Sequence, residues 1–147
     1  ASQGEHMLAH LYELLDPNTA HQSFHGEQIA VTSQYMLEVQ KKLLEGNPPT
    51  LSEKTLPKLP SNITLAKEPL NLNKVQQKID QNWPILKTQI AQKYRNKNDI
   101  TSILKKANLK TTAEELGWNK ELYQKTTDQA FLTRDRFTFL DLAFYQN

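Results

Sequence analysis

The sequence predicts an all-α fold, a compact bundle of six to eight helices. Apolar residues recur at steps of three and four along most of the chain. Leu, Lys, Gln, Glu and Ala are abundant, and β-branched runs are few. No segment keeps the apolar–polar alternation of a half-buried strand, and neither an internal repeat nor a heptad run is present. At 147 residues the chain has the length of one domain with one sizeable core.

The first helix is predicted over residues 4–15, with Leu8, Leu11, Leu14 and Leu15 at helical spacing. Asp16-Pro17-Asn18 reads as a stop and turn, followed by a loop to Gly26. The second helix runs over 27–45. Ile29, Met36, Val39 and Leu43 form one stripe, and Ala30, Leu37 and Leu44 widen it. Gly46 and Pro48-Pro49 end that helix. Residues 46–72 hold five of the seven prolines, interleaved with Leu51, Leu56, Leu59, Leu65 and Leu70. That pattern predicts an extended connector packing its leucines on a helical surface, with a flexible linker as the alternative.

A third helix over 73–94 carries Val75, Ile79, Trp83, Leu86, Ile90 and Tyr94 on one stripe. Pro84 inside it predicts either a kink or a break after Trp83. A fourth covers 99–107, capped by Asn98 or Asp99. Thr112-Ala113-Glu114-Glu115 matches a capping box and predicts a short turn of helix ending at Gly117. Asn119 caps a helix to about Leu132. The last helix, 136–145, is aromatic through Phe137, Phe139, Phe144 and Tyr145, and needs a surface to dock on.

Composition excludes several functions. Four isolated glycines, against about ten at average usage, leave no Gly-rich loop to cradle a nucleotide phosphate. Without cysteine there is no disulfide framework, Cys-based zinc site or Cys nucleophile. No apolar run reaches the roughly 18–20 residues of a membrane span. Eighteen Lys and Arg against sixteen Asp and Glu give a net charge of +2, with no clustered basic stripe of the kind nucleic acid requires. Lys41-Lys42 and Lys105-Lys106 read as solvated faces. No Ser–His–Asp arrangement is readable. Arg134-Asp135-Arg136 could bind phosphate, but as a helix-start charge cluster reads better as an ion-pairing surface.

Three histidines form the one constellation with chemistry in it. His6 and His10 are four apart, so both rings share a helical face and can aim at one point. Imidazoles so placed suit a metal or acid–base work, although the spacing also fits a solvated helix face. His25 stands at the mouth of the second helix, and two antiparallel helices would bring it back toward the first. His21 reads as an ordinary loop residue. Glu5 and Glu27 could be ligands or outer partners, or could favour the positive helix starts. Two histidines leave a divalent metal short of the three protein ligands typical of catalytic zinc. A Glu, a neighbouring chain or a further part of the protein could supply the third.

Gly4-Glu5-His6-Met7-Leu8-Ala9-His10 followed by His25-Gly26-Glu27 resembles the metal-binding half of the iron-containing alcohol dehydrogenase and dehydroquinate synthase-like superfamily. The stretch from Asn108 to Gly117 resembles a G-x-P-T-x-x-E-x-L-G segment. Arg134 to Ala143, RDRFTFLDLA, resembles the closing segment of glycerol-1-phosphate dehydrogenases, especially the bacterial ones. The likeness spans the chain in order, apart from residues 46–72. It departs at Gln3 and Gly4, where relatives often read Gly-Ser or Gly-Gly, and at Leu109-Lys110, where they usually carry a proline.

The resemblance implies the C-terminal helical domain of a cytoplasmic two-domain enzyme whose N-terminal α/β domain binds NAD(P). That enzyme reduces dihydroxyacetone phosphate to sn-glycerol 1-phosphate, with a divalent metal (Zn, Ni or Fe) polarising the substrate carbonyl. By position, His6 and His25 match the metal-ligand histidines, and His10 the histidine of the proton network. The family's third ligand is an aspartate upstream, without counterpart here. Ala1, immediately before the GEH motif, then reads as the start of an excised domain rather than a signal-peptide cleavage site. The domain is expected to be inactive alone. Its partners would be its own nucleotide domain and a phosphorylated triose; whether the parent is a homodimer stays open. Two other readings remain: a non-enzymatic helical interaction module with incidental histidines, and a dehydroquinate synthase-like domain, against which the RDRFTFLDLA ending argues.

Overall fold

The computed structural model describes residues 4–147; Ala1 and Gln3, on which the expectations about the chain start fall, lie outside the described residues. The elements are α1 (Gly4–Leu15), α2 (Pro17–Ala20), α3 (His25–Glu45), α4 (Leu72–Lys93), α5 (Lys97–Lys106), α6 (Lys120–Gln129), a 3-10 turn (Ala130–Thr133) and α7 (Phe139–Tyr145). The fold is all-α: among the described residues the one β contact is an isolated antiparallel bridge between Leu51 and Gln146.

α1 and α3 pack together at the centre. Met7, Leu8, Leu11 and Tyr12 of α1 are buried. Leu14 is not: it is 56% exposed, because it lies about 120° round the helix from Leu8, at the edge of the buried arc. The largest core cluster joins α1 to Met36 of α3, to Phe131 and Leu132 of the 3-10 turn, and to Leu140 and Tyr145 of α7. The aromatic end of the chain thus docks inward, with Phe131 and Phe144 stacked at 4.5 Å. A second cluster sets Tyr12 and Val31 against Leu116 and Trp118. A third sets Leu43 and Leu44 against Ile79 and Trp83 of α4. α3 also buries Gln28, Thr32 and Gln34, each satisfied by a carbonyl: Gln28 donates to Ala20 O at 2.8 Å, Thr32 to Gln28 O at 3.1 Å and Gln34 to Thr111 O at 2.9 Å.

Residues 46–71 form an extended strap across this bundle. Ser52 N–H donates to Tyr145 O at 2.9 Å, the Gln129 amide to Lys58 O at 3.0 Å, and Ala66 N–H to Leu132 O at 3.1 Å. Ile63 is buried in the main core, with Leu51, Leu59 and Leu70 packed against it, while Leu56 and Leu65 are exposed. Farther along, Lys67 enters the interior, where its ammonium meets Asp141 Oδ1 at 2.5 Å and also donates to Arg136 O. Asp141 Oδ2 accepts from the Thr138 N–H at 2.7 Å and its hydroxyl at 2.9 Å. This capping box starts α7 at Phe139, three residues later than the spacing predicts.

Other boundaries differ for local reasons. α4 runs through Pro84 unbroken; the carbonyl that proline frees belongs to Asp80, on a face open to solvent. α5 starts at Lys97 because Asn96, not Asn98 or Asp99, supplies the cap. It buries no residue and is fastened to α3 by Lys97–Glu38 and Thr101–Gln34 contacts. At 112–117 the capping box forms, with Glu115 N–H on Thr112 Oγ at 3.1 Å and Thr112 N–H on Glu115 at 3.2 Å. The chain nevertheless makes turns there rather than helix, ending at Gly117 with φ +77, a left-handed value suited to glycine.

Candidate metal centre

The buried arc of α1 is centred near Leu8, so His6 and His10 fall on the opposite, outward face. His25 is the first residue of α3. The linking segment brings it back through α2, which the sequence reading takes as loop. Asp16 caps α2 by accepting from Thr19 N–H at 3.2 Å, and Pro17 occupies its first turn. Ala20 is then buried and its carbonyl held by Gln28, which fixes the start of α3 beside α1.

All three predicted rings come together. Ring centroids are 6.0 Å apart for His6–His10, 5.4 Å for His6–His25 and 5.3 Å for His10–His25. Each ring offers a nitrogen, and the three nitrogens lie within 4.8 Å of one another. His6 is partly buried and the other two exposed, so the cluster has a solvent-facing mouth. Three neutral imidazoles form a donor set that suits Zn, Ni or Fe.

Of the two roles the sequence leaves open for its helix-start carboxylates, Glu27 takes the second. Glu27 accepts from Phe24 N–H at 3.1 Å and so caps α3 rather than facing the histidines. Glu5 lines a groove and is not among the clustered ligand groups. Glu13, which sequence reading passed over, is the carboxylate at this site. Its Oε2 lies 3.7 Å from His10 Nδ1, and its Oε1 lies 3.1 Å from His21 Nε2. The signal for its contact with His10 was the spacing of three within one helix; the contact with His21 depends on α2 folding back.

The groove that Glu5 lines measures about 820 Å³ and runs between α1, α3, α5 and the start of α7. Gly4, Ser33, Met36, Arg95 and Thr138 are among its walls. A Cβ at Gly4 would come within 2.5 Å of Met36 Cε, so the flexible end of that side chain would have to move aside. Arg134-Asp135-Arg136 is not an ion-pairing surface: among the described residues neither arginine pairs with a carboxylate, and Asp135 accepts from Glu68 N–H at 3.3 Å. No described helix is long and apolar enough to cross a membrane. No family model, curated protein or solved structure matches the chain.

Proposed function

We propose that this chain is the metal- and substrate-binding helical domain of an NAD(P)-dependent oxidoreductase similar to the glycerol-1-phosphate dehydrogenases, working with a nucleotide-binding domain from outside these residues. The observation that carries the reading is the meeting of His6, His10 and His25 at one solvent-facing point. In this reading His6 and His25 hold a divalent metal, and an outside carboxylate completes its ligands. The bound metal would polarise a substrate carbonyl. His10 belongs to the proton network, with Glu13 steadying its Nδ1 side. The groove beginning at Gly4 and Glu5, next in sequence to His6, has the volume of a small-molecule site, and Arg95 on its wall offers a cation to a phosphate.

The test is a steady-state assay of this chain joined to the coding sequence immediately upstream, using dihydroxyacetone phosphate, NADH or NADPH, and Zn²⁺, Ni²⁺ or Fe²⁺. Turnover that disappears in His6→Ala and His25→Ala is the expected outcome. An upstream sequence without a nucleotide-binding domain, or no turnover with any nicotinamide and metal combination, overturns the reading.

A further inference from the structure

We infer that His10 is the third ligand of a metal site this chain forms by itself, and that Glu13 is the residue that positions it. The inference rests on the His6–His25 ligand pair proposed above. It differs in giving His10 to the metal whenever no outside carboxylate reaches it.

Geometry separates this assignment from a chance cluster. A tetrahedral ion with metal–nitrogen bonds of about 2.0–2.1 Å puts its donor atoms about 3.4 Å apart. The centroids of imidazoles on such an ion lie about 5.2 Å apart. The observed centroid separations of 5.4 and 5.3 Å already match, and the third, at 6.0 Å, is somewhat wide. His10 lies 5.3 Å from His25 and 6.0 Å from His6, so a metal placed between His6 and His25 has His10 beside it. The donor nitrogens, within 4.8 Å of one another, need to draw in by little more than 1 Å. His10 and His25 are exposed, so small side-chain rotations achieve this without disturbing the core.

Glu13 decides which nitrogen of His10 is used. Its carboxylate stands 3.7 Å from Nδ1. Drawn in from there to hydrogen-bond range, it would favour the Nδ1–H tautomer and leave Nε2 as the lone-pair donor, the arrangement in which a carboxylate orients a metal-bound histidine. The second Glu13 oxygen is held at 3.1 Å by His21 Nε2, which steadies the carboxylate from the loop side. His21 thereby acquires a role, two contacts removed from the metal. The site would take a divalent ion of the zinc, cobalt and nickel type, for which imidazole is a favoured ligand.

The experiment titrates the 147-residue chain with Co²⁺ alone, reads the visible absorption of the bound ion, and then displaces it with Zn²⁺. The expected result is one Co²⁺ per chain, with the intense bands of a four- or five-coordinate ion. His6→Ala, His10→Ala and His25→Ala should each weaken binding at least about tenfold, and Glu13→Gln by about tenfold. Far-UV circular dichroism should be unchanged in all four, and His10→Gln replaces the alanine variant if its spectrum changes. Wild-type affinity and spectrum in His10→Ala, with loss in His6→Ala and His25→Ala, overturns the three-ligand site and leaves the reading above standing. Absence of Co²⁺ binding at millimolar concentration overturns this self-sufficient site, while the His6–His25 pair with its outside carboxylate is then decided by the turnover assay above; binding that none of the alanine variants alters overturns both.

Discussion

Replacing Lys67 with methionine removes the cation from a pair in which both side chains are almost wholly sealed from water, 2% and 0% exposed. Methionine keeps the length and apolar stem, so the loss is chiefly electrostatic. In Lys67→Met, Asp141 Oδ2 retains both donors from Thr138. Oδ1, which meets the ammonium at 2.5 Å but makes no well-aligned hydrogen bond, is left with nothing. An uncompensated buried charge costs about 3–5 kcal/mol, a large share of the 5–15 kcal/mol that typically holds such a domain together. The midpoint of thermal unfolding should fall by about 9–15 °C, at roughly 3 °C per kcal/mol for a chain of this size. Asp141→Asn should cost a similar amount, because the Lys67 charge stays buried while the cap oxygen is kept. The double variant Lys67→Met/Asp141→Asn removes both charges and preserves the cap, so it should recover to within about 1–2 kcal/mol of wild type. Urea unfolding followed by far-UV circular dichroism, with equal slopes across the set, measures the cycle. Single variants within about 1 kcal/mol of wild type, or a double variant equal to the sum of the singles, would show that the pair carries no such load.

Two further outcomes follow from the aromatic cluster beside α1. Tyr12→Phe keeps the stack on Trp118, whose ring lies 4.1 Å away, but deletes the hydroxyl that accepts from Asn119 N–H at 2.8 Å. The orphaned donor at the start of α6 should cost about 1–2 kcal/mol by urea unfolding, with faster amide exchange at Asn119; unchanged exchange there would refute it. Burial pushes the hydroxyls of Tyr12, Tyr35, Tyr123 and Tyr145 above the usual tyrosine range, Tyr123 the furthest, aided by the nearby Tyr35 and Glu114. Above the ordinary value of about 10 the unfolded chain releases these protons while the folded chain holds them. Their contribution is therefore fully present below pH ~10 and declines as pH rises toward the folded values. Tyr123→Phe should flatten that alkaline decline in urea melts at successive pH values, and an identical decline in the variant would rule out Tyr123 as a source.

The helical pair of the histidine cluster was legible in the sequence for the same physical reason that the core was. A helix with a buried arc centred on Leu8 must turn its opposite face outward, and His6 and His10 are spaced to occupy that face. The bounds of α1 were equally readable, since Asp16-Pro17 stops it locally. What could not be read depends on contacts between distant parts of the chain. The burial of Gln28 and Gln34 breaks the apolar stripe of α3, and carbonyls from elsewhere in the chain, at Ala20 of α2 and at Thr111, help make it tolerable. Lys67 sits in a proline-rich run that gives no sign that its charge goes inside; its partner arrives only when α7 docks. Glu13 falls between these cases. Its spacing from His10 is local, but its hold on His21 requires the fold-back of α2. Side chains placed by one helix are therefore predictable from periodicity alone. Those that complete a site from a second element need the chain's return path: the antiparallel turn expected after α1 sufficed for His25, whereas His21 needed the fold-back of α2 as well.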